Sequence, residues 1–526
     1  MSAPSPLSVP PPARLERWDV EDPVFWAQTG RAVASRNLWI SMPALLCGFA
    51  TWSFWAVITT WMKNVGWGFA KDQYYTLTAV AGLSGATLRI PGSFLTALSG
   101  GRNVAAVTTA LLLVPAVGLS FALADPGTSF TTFVVLATLS GFGGGAFASS
   151  MSNISFFFPK RMQGLALGLN AGVGNLGVSV VQFALPYAVT VGLFGALGGP
   201  SAPVAQAIRW PSLAAGAPVW VQNCGLVWIP VLLVLAVLAW VRMDNLPMHG
   251  APTTTASVGR VLWMNLLGVL SAGVGVWLLV GLRLSVWIVL PVTIALAMAG
   301  LRWLSPRATR DRVVAQLVVL RRTHCWVMTV LYVMTFGSFI GFSFVFALLI
   351  QDVFGKLPSG APRPGAPSPT IAFLGPLIGS LVRPVGGWLS DRFGGARVTQ
   401  WSTVAMIGAA VGLGVCFQRL GGAESPLDFF AAFLVLFLLL FVTAGIGNGS
   451  TFRMIPMIFP PKEAGPVLAW TSAIAAYGSL VIPEVFKGQM KAGTPEVAVF
   501  GFAAFYGVCL VLNWWFYARK NAGIRC

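Results

Sequence analysis

The stretch SGATLRIPGSFLTALSGGR, residues 84–102, belongs to an apolar run from about 77 to 98 that carries a single charge, Arg89. A run of this length is enough to cross the hydrocarbon core of a bilayer as a helix. A full charge at the centre of such a helix costs roughly 2.5–3.5 kcal/mol on insertion scales. Charges kept inside the membrane at this cost mark substrate or ion pathways by default. Arg89 is therefore the first candidate functional residue.

The same pattern recurs in the second half of the chain, in IGSLVRPVGGWLSDRFGGAR, residues 378–397, where Arg383 aligns with Arg89. A second pair of segments, 144–164 and 445–465, also aligns without a gap. Other identical positions include Gly85, Gly92, Leu95, Gly100, Gly101, Gly144, Ser149, Phe158, Pro159 and Gly164, opposite Gly379, Gly386, Leu389, Gly394, Gly395, Gly445, Ser450, Phe459, Pro460 and Gly465. Two repeated sets of helices of this kind place a substrate site between them, near the bilayer midplane.

Apolar runs of about 20 residues recur along all 526 residues of the chain, which is 56% hydrophobic and only 9% charged. Because soluble domains carry about 25% charged residues, the composition predicts an all-α polytopic membrane protein. The predicted spans form two sets of six, at about 38–62, 75–98, 104–124, 129–158, 164–192 and 220–242, and at about 324–350, 370–390, 400–420, 427–459, 465–487 and 498–517. An inserted pair at about 261–282 and 286–302 makes about 14 spans.

These spans predict five parts. They are a cytoplasmic N-terminal tail (1–37), a six-helix half (38–243), a central cytoplasmic linker (244–323) with a transmembrane hairpin at about 261–302, a second six-helix half (324–517) and a cytoplasmic tail (518–526). A hairpin returns the chain to the side it left, so both halves keep their orientation. A hairpin that lies partly in the membrane interface is the alternative, and the sequence leaves it open.

The net charge of +18 comes from 33 Lys and Arg against 15 Asp and Glu. The basic residues lie in short segments between spans, and no basic domain is present to bind nucleic acid. The main groups are Arg14, Arg17, Arg31 and Arg36, then Lys160 and Arg161, then Arg302, Arg307, Arg310, Arg312, Arg321 and Arg322, and finally Arg519, Lys520 and Arg525. The positive-inside rule places all of these on the cytoplasmic side. We expect a multi-pass membrane protein with both termini cytoplasmic.

Arg383 is the repeat counterpart of Arg89, and each lies in the second helix of its half. In a fold of this type those helices face each other across the central cavity, so two guanidinium groups would repel unless an anion lay between them. The planar fork of arginine matches planar oxyanions and stays charged in a dry site. The pair therefore predicts a small planar anion as substrate. The alternative is that each arginine pairs with a buried carboxylate, but almost all of the acidic residues lie in loops or tails.

A third arginine within a span, Arg453, lies seven residues before Pro460, about 10 Å from the helix end at 1.5 Å per residue. We expect its side chain to extend to the interface, with a gate role as the alternative. The loop motif SDRFGGAR (390–397) keeps an acidic residue that its repeat partner SGGRN (99–103) lacks. We expect the pair Asp391–Arg392 to stabilise one conformational state.

The order of residues over most of the chain resembles the NarK-type nitrate/nitrite porters, a family of the major facilitator superfamily. The resemblance lies in two Gly-rich segments, 141–160 (GFGGGAFASSMSNISFFFPK) and 444–461 (AGIGNGSTFRMIPMIFPP). It also covers WDVEDPVFWAQTGRAVASRNL (18–38), GLALGLNAGVGNLGVSVVQ (164–182), LYVMTFGSFIGFS (331–343) and GPLIGSLVRPVGGWLSDRFGGARV (375–398). It implies a major facilitator fold and transport of nitrate and nitrite. The inserted hairpin is not part of the family's twelve-helix plan.

The resemblance also implies roles for individual residues. Arg89 and Arg383 match the two arginines that hold the anion, Asn175 matches an amide that bonds it, and Tyr332 matches a hydroxyl donor. Phe147 and Phe336 match aromatic residues above and below the flat ion. Without the resemblance, Asn175 would be read as a helix-packing amide, and either phenylalanine as one of 36 that face lipid or the core.

Proton coupling usually needs an Asp, Glu or His that titrates inside the pathway, and we find none at mid-depth. An empty carrier would hold two facing positive charges, so we expect nitrate/nitrite exchange by alternating access. The alternative is a nitrate/proton symporter, for which Glu484 or the substrate itself is the candidate proton site. The class of transporter implies a bacterial cell inner membrane, with respiration or nitrogen assimilation as the setting.

Other classes of function are less favoured. An enzyme or sensor would need a catalytic set, a cofactor site or a soluble domain, and the sequence contains none. A cationic-drug exporter conflicts with paired arginines. The six scattered Cys and two isolated His predict neither a metal site nor a cofactor. We expect a monomer whose partners are nitrate, nitrite and the lipid bilayer.

Overall fold

A computed structural model describes residues 15, 17–247, 249, 253–355, 363–421, 426–524 and 526 of the chain. The predicted all-α polytopic membrane protein is confirmed, since helices make up nearly all of the regular structure in these residues. The exception is a two-residue antiparallel pair, β1 (Ala202–Pro203) with β2 (Pro218–Val219), in the segment between two long helices. Arg14 and Arg525, which the charge pattern included, lie outside the described residues.

The long helices are numbered here in chain order. The N-terminal half has α1 (Pro23–Ser53, continued by Trp55–Asn64 after a 42° bend), α2 (Lys71–Ser99), α3 (Gly101–Ala122), α4 (Phe130–Phe157), α5 (Lys160–Ala188) and α6 (Asn223–Arg242). The inserted hairpin is α7 (Thr254–Gly281) and α8 (Val286–Trp303). The C-terminal half has α9 (Thr323–Phe354), α10 (Pro369–Phe393), α11 (Gly395–Leu420), α12 (Pro426–Ile458), α13 (Glu463–Ala492) and α14 (Pro495–Ala518).

Twelve helices in the described part of the chain are long and apolar enough to cross a membrane, and the bent α1 makes thirteen. The helix that carries Arg89, α2, is not among them, although its 29 residues are long enough. Almost all of α2 is buried inside the protein, so its residues need not be lipid-compatible. In the described part of the chain, length and composition therefore support thirteen of the fourteen predicted spans. The remaining one is α2.

The first helix begins at Pro23, earlier than the predicted start of the first span at 38. Residues 23–37, assigned from the sequence to a cytoplasmic tail, thus extend α1, and Asp22 caps its first turn by accepting a hydrogen bond from the Val24 N–H. The capping oxygen satisfies one of the free N–H groups of the helix start. This extension packs against the end of α4, where the ring centroids of Trp26 and Phe158 lie 5.9 Å apart. Just before the helix, the Trp18 indole donates to the Phe156 carbonyl oxygen at 2.8 Å.

Glycines bring the repeated helices into backbone contact in both halves. A Cβ added to Gly144 of α4 would lie 2.6 Å from the Cα of Gly85 in α2. The repeat counterparts behave alike, because a Cβ on Gly445 of α12 would lie 2.3 Å from the Gly379 carbonyl oxygen of α10. Small residues are what permit such close helix approach in membranes. The Gly-rich segments therefore hold each arginine-bearing helix against its neighbour.

The two halves meet along α2 with α13 and along α5 with α10. The hairpin packs outside this interface, mainly through α7 against α2 and α3. Arg89 thus lies on a helix that contacts the N-terminal half, the hairpin and the C-terminal half.

Candidate functional site

Arg89 is completely buried in the middle of α2. Its Nε donates to the carbonyl oxygen of Gly144 at 2.8 Å, and its Nη1 donates to the carbonyl oxygen of Ser472 at 3.2 Å. Gly144 belongs to the same half and Ser472 to the other, so this side chain bridges the halves. The third nitrogen, Nη2, has no hydrogen-bond partner among the described residues.

Four aromatic rings surround the Arg89 guanidinium. Its Cζ lies 4.6 Å from the ring centroid of Phe147, 5.0 Å from Phe336, 5.1 Å from Trp52 and 5.6 Å from Phe49. The negative faces of aromatic rings attract a cation at such distances, by about 2 kcal/mol or more where water is excluded. These rings lower the cost of burying the charge without neutralising it.

Arg383 is also buried, in α10 of the other half. Its Nη2 donates to the Tyr332 hydroxyl oxygen at 3.3 Å, and its Cζ lies 5.2 Å from the ring centroid of Phe452. Its Nη1 has no hydrogen-bond partner among the described residues. None of the ion pairs found in the described chain involves Arg89 or Arg383, so neither arginine is seen with a carboxylate.

A column of stacked rings connects the two arginines. Tyr332 stacks on Phe336 with centroids 5.5 Å apart, and Phe336 stacks on Phe147 at 6.2 Å. Tyr332 directly precedes a π-helical stretch of α9, Val333–Gly337, and Phe336 lies within it; such stretches are frequent at functional sites. Arg89 lies over the Phe336 ring and Arg383 donates to the Tyr332 hydroxyl, so both guanidinium groups border this column. The structure thus brings Arg89, Arg383, Tyr332, Phe147 and Phe336 together.

Asn175, the sixth candidate, is not bonded to the other five in the described residues. It is buried in α5, and neither its Nδ2 nor its Oδ1 has a hydrogen-bond partner in the described residues. No hydrogen bond or ring contact in that part of the chain joins it to the other five candidates. A buried amide without partners is costly, so Asn175 has bonding capacity free for another group.

Sequence reasoning missed several residues around the arginines. Trp52 and Phe49 lie three positions apart in α1 and therefore share a helix face, a spacing that the sequence displays. Asn448 is buried with its Oδ1 unpartnered in the described residues, and it aligns with Phe147 in the repeat. The repeat alignment was thus a signal for Asn448. The Ser472 carbonyl could not be identified from the sequence, because every residue has a backbone carbonyl.

The expected pair Asp391–Arg392 is not the contact that the structure contains. Asp391 instead accepts a hydrogen bond from Arg453 Nε at 2.7 Å, and both side chains are exposed. Arg392 lies over the ring of Trp388, with its Cζ 4.6 Å from the centroid. Asp391 and Arg392 are adjacent on one helix, so their side chains point to different sides. Arg453 belongs to α12, which packs against α10, and its side chain can therefore reach Asp391. Arg453 is therefore bound at the helix end, away from the buried pair.

The halves are joined by a buried ion pair at the end of the bundle away from the Arg-rich segments. Lys63 Nζ lies 2.9 Å from Asp352 Oδ1, with the two side chains 9% and 3% exposed. Beside it, the Gln351 amide donates to the Asn64 side-chain oxygen at 2.9 Å. We did not single out Asp352 from the sequence, because a carboxylate near a helix end looks like an interfacial residue.

No group of three or more His, Cys, Asp or Glu side chains in the described residues could hold a metal ion. The six cysteines are free thiols, five of them buried and Cys526 partly so. The chemistry of this region is therefore that of arginine, aromatic, hydroxyl and amide groups.

No family model matches the sequence. It is 38% identical over 512 residues to a probable nitrate/nitrite antiporter of Thermus thermophilus, with 97% of each chain covered. It is 35% identical over 529 residues to the nitrate/nitrite transporter NarU of Escherichia coli K12, with 96% of each covered. Both alignments thus cover nearly the whole of each chain.

Among solved structures, the chain is similar to a POT family transporter in complex with 5-aminolevulinic acid. The TM-score is 0.58 at 12% identity, covering 91% of this chain and 94% of that one. At this identity the likeness establishes the fold alone, which is that of the major facilitator transporters.

Proposed function

Because the chain belongs to the NarK-type family of nitrate/nitrite porters, we propose that it exchanges nitrate for nitrite across a bacterial inner membrane. As a member of this family it is a multi-pass transporter and not an enzyme. The observation that carries the proposal is the pair Arg89 and Arg383, both buried, each with one unpartnered Nη atom and neither seen with a carboxylate in the described residues.

Anion binding would use the nitrogens that the protein leaves unpaired. Nη2 of Arg89 and Nη1 of Arg383 are donors in a site from which water is largely excluded, where charge-assisted hydrogen bonds are strong. The Asn175 amide and the Tyr332 hydroxyl are the further donors. Phe147 and Phe336 would cover the faces of a flat ion. This arrangement favours a small planar anion such as nitrate or nitrite over a tetrahedral one.

Exchange follows from the charges. Without an anion, two buried positive charges repel, and an uncompensated buried charge costs roughly 3–5 kcal/mol. The rings and carbonyls around Arg89 reduce that cost but supply no negative charge. The loaded carrier, with its charge compensated, therefore reorients more readily than the empty one. Each anion that leaves has to be replaced by another.

Alternating access would open and close the ends of the bundle in turn. With both termini cytoplasmic, as the charge distribution favours, the end closed by Lys63 and Asp352 faces the periplasm. The structure then corresponds to a carrier shut towards the periplasm. We propose that the protein works as a monomer, because the site is built from the two halves of one chain.

The alternative is nitrate/proton symport, and one observation favours it. The Glu484 side chain of α13 is 9% exposed, and Lys487, its partner at 2.6 Å, also donates to Thr76 of the other half at 3.4 Å. Protonation of Glu484 would weaken this contact between the halves. Glu484 lies about three helical turns beyond Ser472, however, and no contact in the described residues links it to either arginine.

The test is uptake of labelled nitrate into proteoliposomes, with and without internal nitrite, at two imposed pH gradients. We expect uptake that needs internal anion and ignores the gradient. Arg89→Lys and Arg383→Lys should each lose uptake, while Arg453→Lys, an intraspan arginine with an exposed partner, should keep it.

Two results would contradict the proposal. Uptake into vesicles without internal anion that follows the proton gradient would establish symport, and Glu484→Gln should then abolish the gradient dependence. No nitrate uptake by a folded preparation under any of these conditions would refute the substrate assignment.

A further inference from the structure

A groove lies where the two halves, the hairpin and the segment after the hairpin meet. Its free volume is about 20 Å³, room for about one water molecule, so it is a shallow, open groove along which a ligand would lie. Its walls come from α2, α8, α13 and the chain between α8 and α9. The main lining side chains are Ile90, Phe94, Met298, Leu317, Leu320 and Trp470. We call it the linker groove.

One polar atom in the linker groove has no partner. The Trp470 side chain is 9% exposed, and its Nε1 is buried without a hydrogen-bond acceptor in the described residues. Its ring is held by an edge contact with Trp326, whose centroid lies 5.8 Å away. Buried indole N–H groups usually find an acceptor, so the groove suits a ligand that is mostly apolar but carries an acceptor oxygen.

Two arginines lie close in the chain to lining residues of the groove, and we infer that they make its mouth basic. Arg302 follows Met298 by one turn of α8, and Arg321 directly follows Leu320. Both are exposed, and neither makes an ion pair with the described residues. The neighbouring Arg322 is already paired with Glu463 at 2.9 Å, and Asp311 is the acidic residue of the short helix Arg307–Leu317. An anionic group would find two uncompensated guanidinium groups here.

Exposed apolar side chains flank the same mouth, among them Trp303, Leu304, Val318 and Trp326. Aromatic residues of this kind mark the membrane interface, which favours a lipid over a water-soluble ligand. Basic pockets between transmembrane helices on the cytoplasmic side bind anionic lipid head groups.

We propose that the linker groove binds an anionic phospholipid of the cytoplasmic leaflet. An acyl chain lies along the apolar walls of the groove, and an ester or phosphate oxygen accepts a hydrogen bond from Trp470 Nε1. Arg302 and Arg321 bind the phosphate. The proposal rests on the orientation given above and not on the transported anion. Since the groove includes α2 of one half and α13 of the other, the lipid binds best to one arrangement of the halves and so regulates transport.

The experiment compares the full chain in phosphatidylcholine vesicles with and without about one fifth phosphatidylglycerol. After extraction, retained lipid is counted by native mass spectrometry, and thermal stability is measured in both lipids. We expect retained phosphatidylglycerol and a melting temperature several degrees higher in its presence. Arg302→Gln with Arg321→Gln should lower retention at least tenfold, and Trp470→Phe should lower it severalfold while keeping the ring.

The matched control is Arg161→Gln, an exposed basic residue in the first turn of α5, remote from the groove. It should retain phosphatidylglycerol like the parent. Equal retention by all variants, or equal retention of phosphatidylcholine and phosphatidylglycerol by the parent, would overturn the proposal. Because retention is measured without nitrate, this result is independent of the transport assay.

Discussion

Replacement of Lys63 by methionine should open the end of the bundle that this lysine closes. In the structure Lys63 and Asp352 are paired at 2.9 Å with almost no exposure to solvent. Methionine keeps most of the side-chain volume and removes the charge, so Asp352 stays buried without its cation. Breaking a buried pair in this way costs about 3–5 kcal/mol. When this end opens, Asp352 reaches water and the penalty disappears.

The penalty therefore acts on one state of the carrier only. Since each 1.4 kcal/mol is a factor of ten, the equilibrium between closed and open should shift by about two to three orders of magnitude. A cysteine at Thr60, which lies one turn before Lys63 and lines a cavity between the halves, would report the opening. Its labelling by a membrane-impermeant thiol reagent should become much faster in Lys63→Met. Native cysteines contribute little background, because five of the six are buried.

The double variant Lys63→Met with Asp352→Leu is the decisive control. It removes both charges, and replacing a buried pair by apolar residues of similar size is often neutral or stabilising. Labelling should return to the parent rate. If Lys63→Met labels no faster than the parent, or if the double variant labels as fast as the single one, the ion pair does not hold this end closed.

Three further predictions concern the buried arginines, the helix contacts and the exposed pair. Arg89→Lys should weaken nitrate binding by about tenfold or more, because an ammonium group cannot reproduce the guanidinium fork and hydrogen bonds to charged groups contribute about 1.5–3 kcal/mol each. Binding calorimetry in detergent measures the affinity. An unchanged affinity would contradict the role of this residue. Gly144→Ala should lower both the melting temperature and nitrate uptake, since its Cβ would lie 2.6 Å from a backbone atom of the adjacent helix. Gly168→Ala should be tolerated, because its Cβ would have no atom within 4 Å. Equal behaviour of the two variants would show that the close helix approach is not required. Arg453→Gln should change stability by about 1 kcal/mol or less and leave nitrate affinity unaltered, because its partner Asp391 is exposed; a large loss of affinity would place Arg453 in the pathway.

The parts of this fold that depend on local pattern could be predicted from the sequence. Apolar runs of membrane length located the helices, and the repeat of the segment around Arg89 at Arg383 indicated two related halves. The apolar run of α2 was the weakest of these signals, because a helix enclosed by other helices can carry Thr, Ser, Gly and a charge. In that case the repeat was the stronger signal.

The contacts that hold the candidate site together could not be predicted in this way. The rings around Arg89 come from three helices, and nothing in the sequence separates Phe49 or Phe147 from the other phenylalanines by burial. The pair Lys63–Asp352 joins residues far apart in the chain, so its formation depends on how the halves dock. The partner of Asp391 was predicted as the adjacent arginine, but helix packing supplied Arg453 instead.

The bonding of Arg89 links anion binding to movement of the halves. Its Nε is held by Gly144 in its own half, whereas its Nη1 bonds Ser472 and its guanidinium lies over Phe336, both in the other half. When the halves rock apart at this level, the bond to Ser472 and the ring contact have to break, and the buried charge loses part of its compensation. A bound anion that moves with Arg89 would compensate the guanidinium charge in place of the Ser472 bond and the Phe336 contact, since it carries a full negative charge. A carboxylate in the same position would neutralise Arg89 permanently and remove any dependence on substrate. The use of carbonyls and rings in place of an acid is therefore what makes the reorientation of this carrier depend on its cargo.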